Sequence, residues 1–512
     1  MREINREHKK SRTQKIGLVL GLVLFTIIVL AFDFDPENPA LTRMAAVAAL
    51  MAVWWITDAI PLFATALLPM IFFPLLGILK SNDTAPVYFN STIFLFIGGF
   101  MIALTMEKWN LHRRIALFII KVIGGGPNRI VLGFMIASAF LSMWISNTAT
   151  AIMMVPIGLA IVLKMEESFD IAATDIFSTC LMLGIAYGCS LGGIATLVGT
   201  PPNLSFARIF QITFPHAEPV AFGTWFIMGL PISIVMIAIV WLMLTKIFYR
   251  VPAGLTVDRS IVNKEYQELG SMSFEEKSVL TVFSLTAILW VFRKKLIIGF
   301  ITIPGWSQLL NHPSLIDDAT VAISMAMLMF IIPTRNKDAG YSTIMGADVI
   351  TKIPWNIVLL FGGGFALAKG FQVTGLSAFI GNKFSGLAGM PPIAMILSLC
   401  FGITFLTELT SNTATTEMIL PILASVAVAM KTNPLLLMIP ATISASCAFM
   451  MPVATPPNAI VFGSGRIKIS EMARAGVFIN ITGVIIITAL FYLIGAVVFS
   501  IDPNVFPDWA RH

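Results

Sequence analysis

The 512-residue chain is 57% apolar and only 12% charged, and its mean hydropathy is +0.88. A soluble globular enzyme carries about 25% charged residues, so this composition excludes that class and places the chain in a lipid bilayer. The net charge of +6 comes from loop lysines and arginines; it reports orientation and contact with anionic lipid, and no nucleic-acid motif accompanies it. Cys180, Cys189, Cys400 and Cys447 lie in apolar segments without metal-ligand spacing, and no disulfide is expected.

The basic stretch Arg2 to Lys15 precedes an apolar run from Ile16 to Phe32. That run is long for a signal core and no small-x-small cleavage site follows it, so it reads as a retained first span with a cytoplasmic N-terminus. Further full spans are expected at 41–56, 59–79, 92–107, 178–213, 222–249, 277–298, 318–333, 355–371, 434–464 and 474–500, making about eleven in an all-α polytopic plasma-membrane protein. Two other apolar stretches, 128–165 and 391–430, are interrupted at their middles by Ser-Asn-Thr and read as re-entrant hairpins. Backbone that turns inside a membrane needs protein, water or ligand to satisfy it, so each hairpin tip should line a cavity. The runs 178–213 and 434–464 are too long for one span, and a Thr-Pro-Pro-Asn sequence should break each into two half-helices. Segments 109–124 and 374–386 read as amphipathic arms along the membrane surface.

The interruptions are copies of one another. Ser146-Asn147-Thr148 returns as Ser411-Asn412-Thr413, and the same offset of 265 carries Gly98-Gly99-Phe100 onto Gly363-Gly364-Phe365 and Pro156-Ile157 onto Pro421-Ile422. An offset of 255 carries Gly199-Thr200-Pro201-Pro202-Asn203 onto Ala454-Thr455-Pro456-Pro457-Asn458. The chain therefore divides into residues 1–40 (N-terminus and first span), 41–250 (first repeat), 251–276 (cytoplasmic linker) and 277–512 (second repeat). An odd number of crossings separates 92–107 from its copy at 355–371, so the repeats should be inverted and the C-terminus extracellular. Arg113, Arg114, Lys121, Arg129, Lys246, Arg250, Arg259, Arg335, Lys337, Arg466, Lys468 and Arg474 then fall on the cytoplasmic side. Arg293-Lys294-Lys295 dissents: either the span before it is displaced or this loop breaks the rule.

Neither knot contains Arg, Lys, Asp or Glu. Its donors are hydroxyls, amides and the backbone N–H groups of half-helix N-termini, which carry partial positive charge and suit one carboxylate each of a small dianion. A dianion held only by dipoles is expensive in a low-dielectric site, so cations should travel with it. Sodium suits hydroxyl, amide and carbonyl oxygens; candidate ligands are Ser142, Ser146, Asn147 and Gly199 in the first half and Thr407, Ser411, Asn412 and Ala454 in the second. Duplication implies at least two cation sites.

These paired motifs, together with Trp54-Trp55-Ile56-Thr57-Asp58-Ala59-Ile60-Pro61 and the stretch Ser446 to Val461, resemble the divalent anion:sodium symporter family over nearly the whole chain. Met106-Glu107-Lys108-Trp109-Asn110-Leu111-His112 and Glu275-Glu276-Lys277 are similar to the bacterial sodium-dependent dicarboxylate symporters. The resemblance implies import of C4-dicarboxylates such as succinate, fumarate and malate with co-transported Na+, by a homodimer whose transport domain moves as an elevator against a scaffold. It implies carboxylate contacts from Asn147, Thr148, Asn412 and Thr413, with Thr200, Pro201, Thr455 and Pro456 at the breaks beside them. Asp58 departs from the family's usual Glu, outside the binding motifs.

Several ionisable residues and glycines near the spans read as structural. Glu408 and Glu417 have Met143 and Ile152 as counterparts in the first half, so a symmetric cation site does not depend on them. Lys369 should snorkel or pair with a carboxylate, Glu107 should be structural, and His112 is a minor candidate for proton linkage. The glycine runs at 98–99 and 362–364 read as close helix contacts. No paired-aspartate, His-Glu-x-x-His or Gly-x-Ser-x-Gly arrangement supports an enzyme, and inverted repeats disfavour a channel. Sodium-independent dicarboxylate exchange is the alternative activity.

Overall fold

The computed structural model describes residues 10–167, 169–250, 260–298, 301–336, 342–383, 386, 390–503 and 505–511, most of them helical. The N-terminal basic residues before Lys10, and Arg259 and Lys337 of the loop-charge pattern, lie outside these residues.

The first half opens with α1 (Arg12–Ala31) packed along α2 (Pro39–Thr57), followed by α3 (Leu62–Thr65), α4 (Leu68–Leu75), α5 (Ser81–Tyr88) and α6 (Ser91–Lys108). The expected span at 59–79 is therefore two short helices. Pro69 has no N–H to offer the carbonyl of Thr65, so the helix begun at Leu62 cannot run on through it. An arm, α7 (Leu111–Ile123), leads to α8 (Pro127–Ser142) and α9 (Asn147–Glu166), which meet at the first knot. Next come α10 (Ile171–Gly193), α11 (Pro201–Thr213) and α12 (Phe222–Leu242), the last continued by a π turn over Met243–Phe248.

After α13 (Ser260–Glu268) and α14 (Phe274–Val291), a small antiparallel hairpin pairs β1 (Leu296–Ile298) with β2 (Ile301–Ile303). The span expected at 277–298 thus starts earlier, at a Ser273–Glu276 capping box, and stops at Val291. The dissenting basic cluster follows, largely neutralised: Arg293 pairs with the buried Asp318 at 2.5 Å and Lys294 with Glu218 at 2.9 Å.

The second half holds α15 (Asp318–Ile331), α16 (Val349–Lys352), α17 (Trp355–Thr374) and a short arm, α18 (Leu376–Lys383). Then α19 (Pro392–Thr407) and α20 (Asn412–Ala429) meet at the second knot. After them come α21 (Leu435–Ala445), α22 (Pro456–Gly463), α23 (Ile469–Leu490) and, past a π turn over Phe491–Gly495, α24 (Ala496–Val498).

Among the described residues, nine helical segments are long and apolar enough to cross a membrane, and two of them, Asn147–Glu166 and Asn412–Ala429, are hairpin arms. Seven of the nine fall on expected spans; the 59–79, 277–298, 318–333 and 434–464 segments are not among them, because prolines shorten their helices or charges lower their hydropathy. The glycine reading holds except at Gly99: a Cβ on Gly98 would come within 2.7 Å of Ala322 on α15, one on Gly363 within 2.5 Å of Ala66, and ones on Gly362 and Gly364 would overlap Tyr88 and Glu417.

Candidate functional site: paired helix tips and unwound segments

Ser146 has extended backbone and caps α9, its hydroxyl accepting the N–H of Ala149 at 3.2 Å. The turn between α8 and α9 brings Ser142 onto the first residue of α9, where its hydroxyl donates to Asn147 Oδ1. The second knot repeats the bond, with Thr407 Oγ1 donating to Asn412 Oδ1 at 2.6 Å and to the carbonyl of Ala445 at 3.0 Å. Ser411 occupies the N-cap position of α20 without a side-chain capping bond, which leaves its half-buried hydroxyl uncommitted to the helix.

In both halves the asparagine carbonyl oxygen is thus engaged behind the tip. The side-chain nitrogens of Asn147 and Asn412 and the hydroxyls of Thr148 and Thr413 form no hydrogen bond within the described residues. They are donors held at the N-termini of α9 and α20, suited to an anionic group.

The broken helices supply the other walls. α10 stops at Gly193 and α11 starts at Pro201, and Asn203 binds the unwound segment from below through Nδ2, donating to the carbonyls of Gly193 at 3.1 Å and Thr196 at 2.7 Å. Asn458 does the same in the other half, donating to Ala448 at 3.0 Å and Met451 at 3.1 Å. These residues correspond pairwise at the offset of 255, so the repeat recurs in hydrogen bonds as well as in letters.

Gly193 lies directly behind the first tip. A Cβ there would stand 3.0 Å from Asn147 Oδ1, 3.1 Å from the Gly199 carbonyl and 3.3 Å from Thr200 Cβ. Asn147 Oδ1 and the Gly199 carbonyl therefore both lie against Gly193, with the Ser142 hydroxyl bonded to Asn147. The second-half equivalent of Gly193 is the buried Ala448, whose methyl makes the two positions differ in shape. Thr200 and Thr455 are buried at the N-caps of α11 and α22, where Thr455 accepts the N–H of Asn458 at 3.3 Å; Pro201 is half-buried and Pro456 exposed. Ala454 is buried in the second unwound segment, its N–H bonded to Met451.

The halves interlock crosswise, since α22 packs on α9 and α11 packs on α20. No hydrogen bond among the described residues joins the Asn147 tip to the Asn412 tip.

One residue that symmetry reasoning set aside organises the second unwound segment. Glu408 is buried, and its carboxylate accepts N–H groups from Phe449 at 2.6 Å, Met450 at 2.9 Å and Met451 at 3.0 Å, plus the Asn480 amide at 2.8 Å. In the first half a neutral device stands in its place: Thr196 Oγ1 donates to Met143 at 2.6 Å and accepts the Gly199 N–H at 2.9 Å. A carboxylate next to the knot was the available signal, and the missing counterpart masked it. Lys369 meets the Gln372 amide at 2.9 Å and no carboxylate, and His112 Nδ1 lies 3.3 Å from the Met106 carbonyl.

Comparison with known proteins places the chain in a family. The profile described as "Sodium:sulfate symporter transmembrane region" matches residues 12–501. The chain is 41% identical over 509 residues to the sodium-dependent dicarboxylate transporter SdcS of Staphylococcus saprophyticus, covering 97% of this chain and 95% of that one. It is 42% identical over 503 residues to the SdcS of Staphylococcus aureus, covering 96% and 94%. Two solved structures share the fold at low identity. The YdaH transporter of Alcanivorax borkumensis has a TM-score of 0.54 at 14% identity, covering 94% of this chain and 97% of that one. MtrF of Neisseria gonorrhoeae, from a class of antimetabolite efflux pumps, has a TM-score of 0.56 at 12% identity, covering 93% and 98%. The chain is accordingly a multi-pass membrane transporter and no enzyme, and it belongs to the sodium:sulfate symporter family.

Proposed function

We propose that this protein imports C4-dicarboxylates such as succinate, fumarate and malate by sodium symport. The observation that carries the reading is the pair of uncharged tips, each presenting at a helix N-terminus an asparagine amide nitrogen and a threonine hydroxyl with no hydrogen-bond partner among the described residues. Each half brings two half-helix N-termini to its unwound segment, and at roughly half a charge each they supply about one positive charge per half, matching one carboxylate. Asn147, Thr148, Thr200 and Pro201 would take one carboxylate, and Asn412, Thr413, Thr455 and Pro456 the other.

Sodium ions would sit behind the tips, one among Ser142, Ser146, Asn147 and Gly199 and one among Thr407, Ser411, Asn412 and Ala454, neutralising the dianion. The names of the 41–42% identical relatives support both cargo and coupling ion. Further parts of the proposal are a re-entrant course for the two hairpins, inverted repeats over 41–250 and 277–512 and a cytoplasmic N-terminus with an extracellular C-terminus. Elevator movement of a transport domain within a homodimer completes it. Recurrence of the Asn203 and Asn458 bond sets supports the repeat.

The test is succinate uptake into proteoliposomes under an inward sodium gradient. Uptake that is unchanged when sodium is replaced by choline, with counterflow persisting in sodium-free buffer, identifies an exchanger and refutes symport.

A further inference from the structure

Five residues into α20, counted from Asn412, lies a carboxyl group that the paired-tip arrangement does not use. Glu417 has no solvent exposure. Its Oε1 accepts the hydroxyl of Ser205 on α11, and its Oε2 receives no hydrogen bond from any described residue. The space it fills exists only because residue 364 on α17 is glycine: a Cβ there would overlap the carboxyl. The first repeat contains nothing comparable. Position 152, the counterpart of Glu417, is an isoleucine that is 58% exposed, and a Cβ on Gly99, the counterpart of Gly364, would touch only Val198 and Trp290 at ordinary distances.

A carboxylate taken wholly out of water, with one hydroxyl as its sole donor, is not tolerated as a bare charge; it is neutralised by a proton or by a bound cation. No fixed side chain does this. Among the elements packed against α20, α11 carries Arg208, α17 carries Lys369, α18 carries Lys383 and α2 carries Arg43, while α21 carries no ionisable group and Glu408 ends α19. None of these pairs with Glu417: Lys369 binds Gln372, Lys383 lies over Phe379, Arg43 binds the Leu76 carbonyl, and Arg208 has a buried Nε without a partner. Ser205 is four residues past Pro201 at the start of α11, so the Ser205–Glu417 bond joins elements of the two repeats about one to two turns behind both proposed contact points.

We propose that Glu417 is a monovalent-cation acceptor, holding a proton or a sodium ion on Oε2 at the α11–α20 junction, in addition to the two cations proposed behind the tips. The site is asymmetric, since its carboxyl has no counterpart in the first repeat, and its existence does not depend on which anion is carried.

Infrared difference spectra of purified wild type against Glu417→Gln, with Na+ and with choline over a pH series, test the inference and separate the two sources. A protonated-carboxyl band present in wild type and absent in Glu417→Gln identifies the proton. Carboxylate bands that appear only with Na+, together with the loss of one step of cooperativity in sodium activation of uptake by Glu417→Gln, identify sodium. An ionised carboxylate signal indifferent to both sodium and pH overturns the proposal. Should Glu417→Gln fail to fold, Ser205→Ala replaces it: removal of the sole donor must shift the pH or sodium midpoint of the same band, and an unshifted band is equally fatal. Sodium-driven succinate uptake by wild type is measured alongside, so failure of the transport reading is seen separately from failure of the Glu417 site.

Discussion

Replacing Glu408 with glutamine tests whether a single buried carboxylate shapes the second unwound segment. The wild-type group accepts four hydrogen bonds, three of them from consecutive backbone N–H groups at 449–451. Hydrogen bonds to a charged acceptor contribute about 1.5–3 kcal/mol each and neutral ones about 0.5–1.5. Glutamine keeps one oxygen, which can serve Phe449, Met450 and Asn480 at neutral strength. Its amide nitrogen then faces the Met451 N–H donor to donor, so that bond is lost. One lost bond and three weakened ones sum to roughly 3–5 kcal/mol, allowing for the non-additivity of a shared network. The expected result is a clearly lower apparent Tm in detergent, with sodium activation of uptake at least about tenfold poorer, a loss of about 1.4 kcal/mol in ion binding. Glu408→Ala, which strands all four donors, should be worse on both readouts. A Glu408→Gln protein with wild-type thermal stability and wild-type sodium activation would refute the reasoning.

Asn147→Ala and Asn412→Ala should each abolish succinate uptake while leaving a monodisperse, folded protein, because in the proposed site each side chain offers its nitrogen to the cargo and its oxygen to the cation; a wild-type rate in either contradicts the assignment. Ser142→Ala and Thr407→Val remove the hydroxyl behind each asparagine and should raise the sodium concentration for half-maximal uptake by about tenfold each, with succinate affinity at saturating sodium little changed. Arg114, bonded through Nε to Glu276 at 2.7 Å and to the carbonyls of Leu269 and Gly270 at 3.0 Å, ties the α7 arm to the linker and α14. Arg114→Gln should cost about 3–5 kcal/mol by stranding a buried carboxylate, seen as a lowered melting temperature, and restoring neutrality with Glu276→Gln should recover part of it. Equal stability of the single and double variants would show that the pair does not hold the arm.

What could be read from residues alone was whatever local chemistry dictates. Proline cannot donate to a helix, so Pro201 and Pro456 marked real breaks, and Ser146 and Thr455 are side-chain caps because a short hydroxyl satisfies free N–H groups at a helix start. The two knots, the helices at 111–123 and 376–383 and the close glycine contacts at 98 and 363 follow from the same rules, repeated at a fixed offset. Span counting did less well. Pro69 split one apolar run, and ion pairing of Arg293 and Lys294 made a charged cluster structural where orientation arithmetic treated it as a signal.

Tertiary structure decided the partners, which sequence offsets do not encode. That Asn203 and Asn458 bind the backs of the unwound segments, that α22 lies on α9 and α11 on α20, and that Glu408 gathers N–H groups some forty residues away are facts of packing. Duplication made the halves look equivalent on paper. Burial separates them: a carboxyl enclosed between Ser205 and Gly364 in one repeat is an exposed isoleucine in the other, because only the folded chain determines which side chains lose their water.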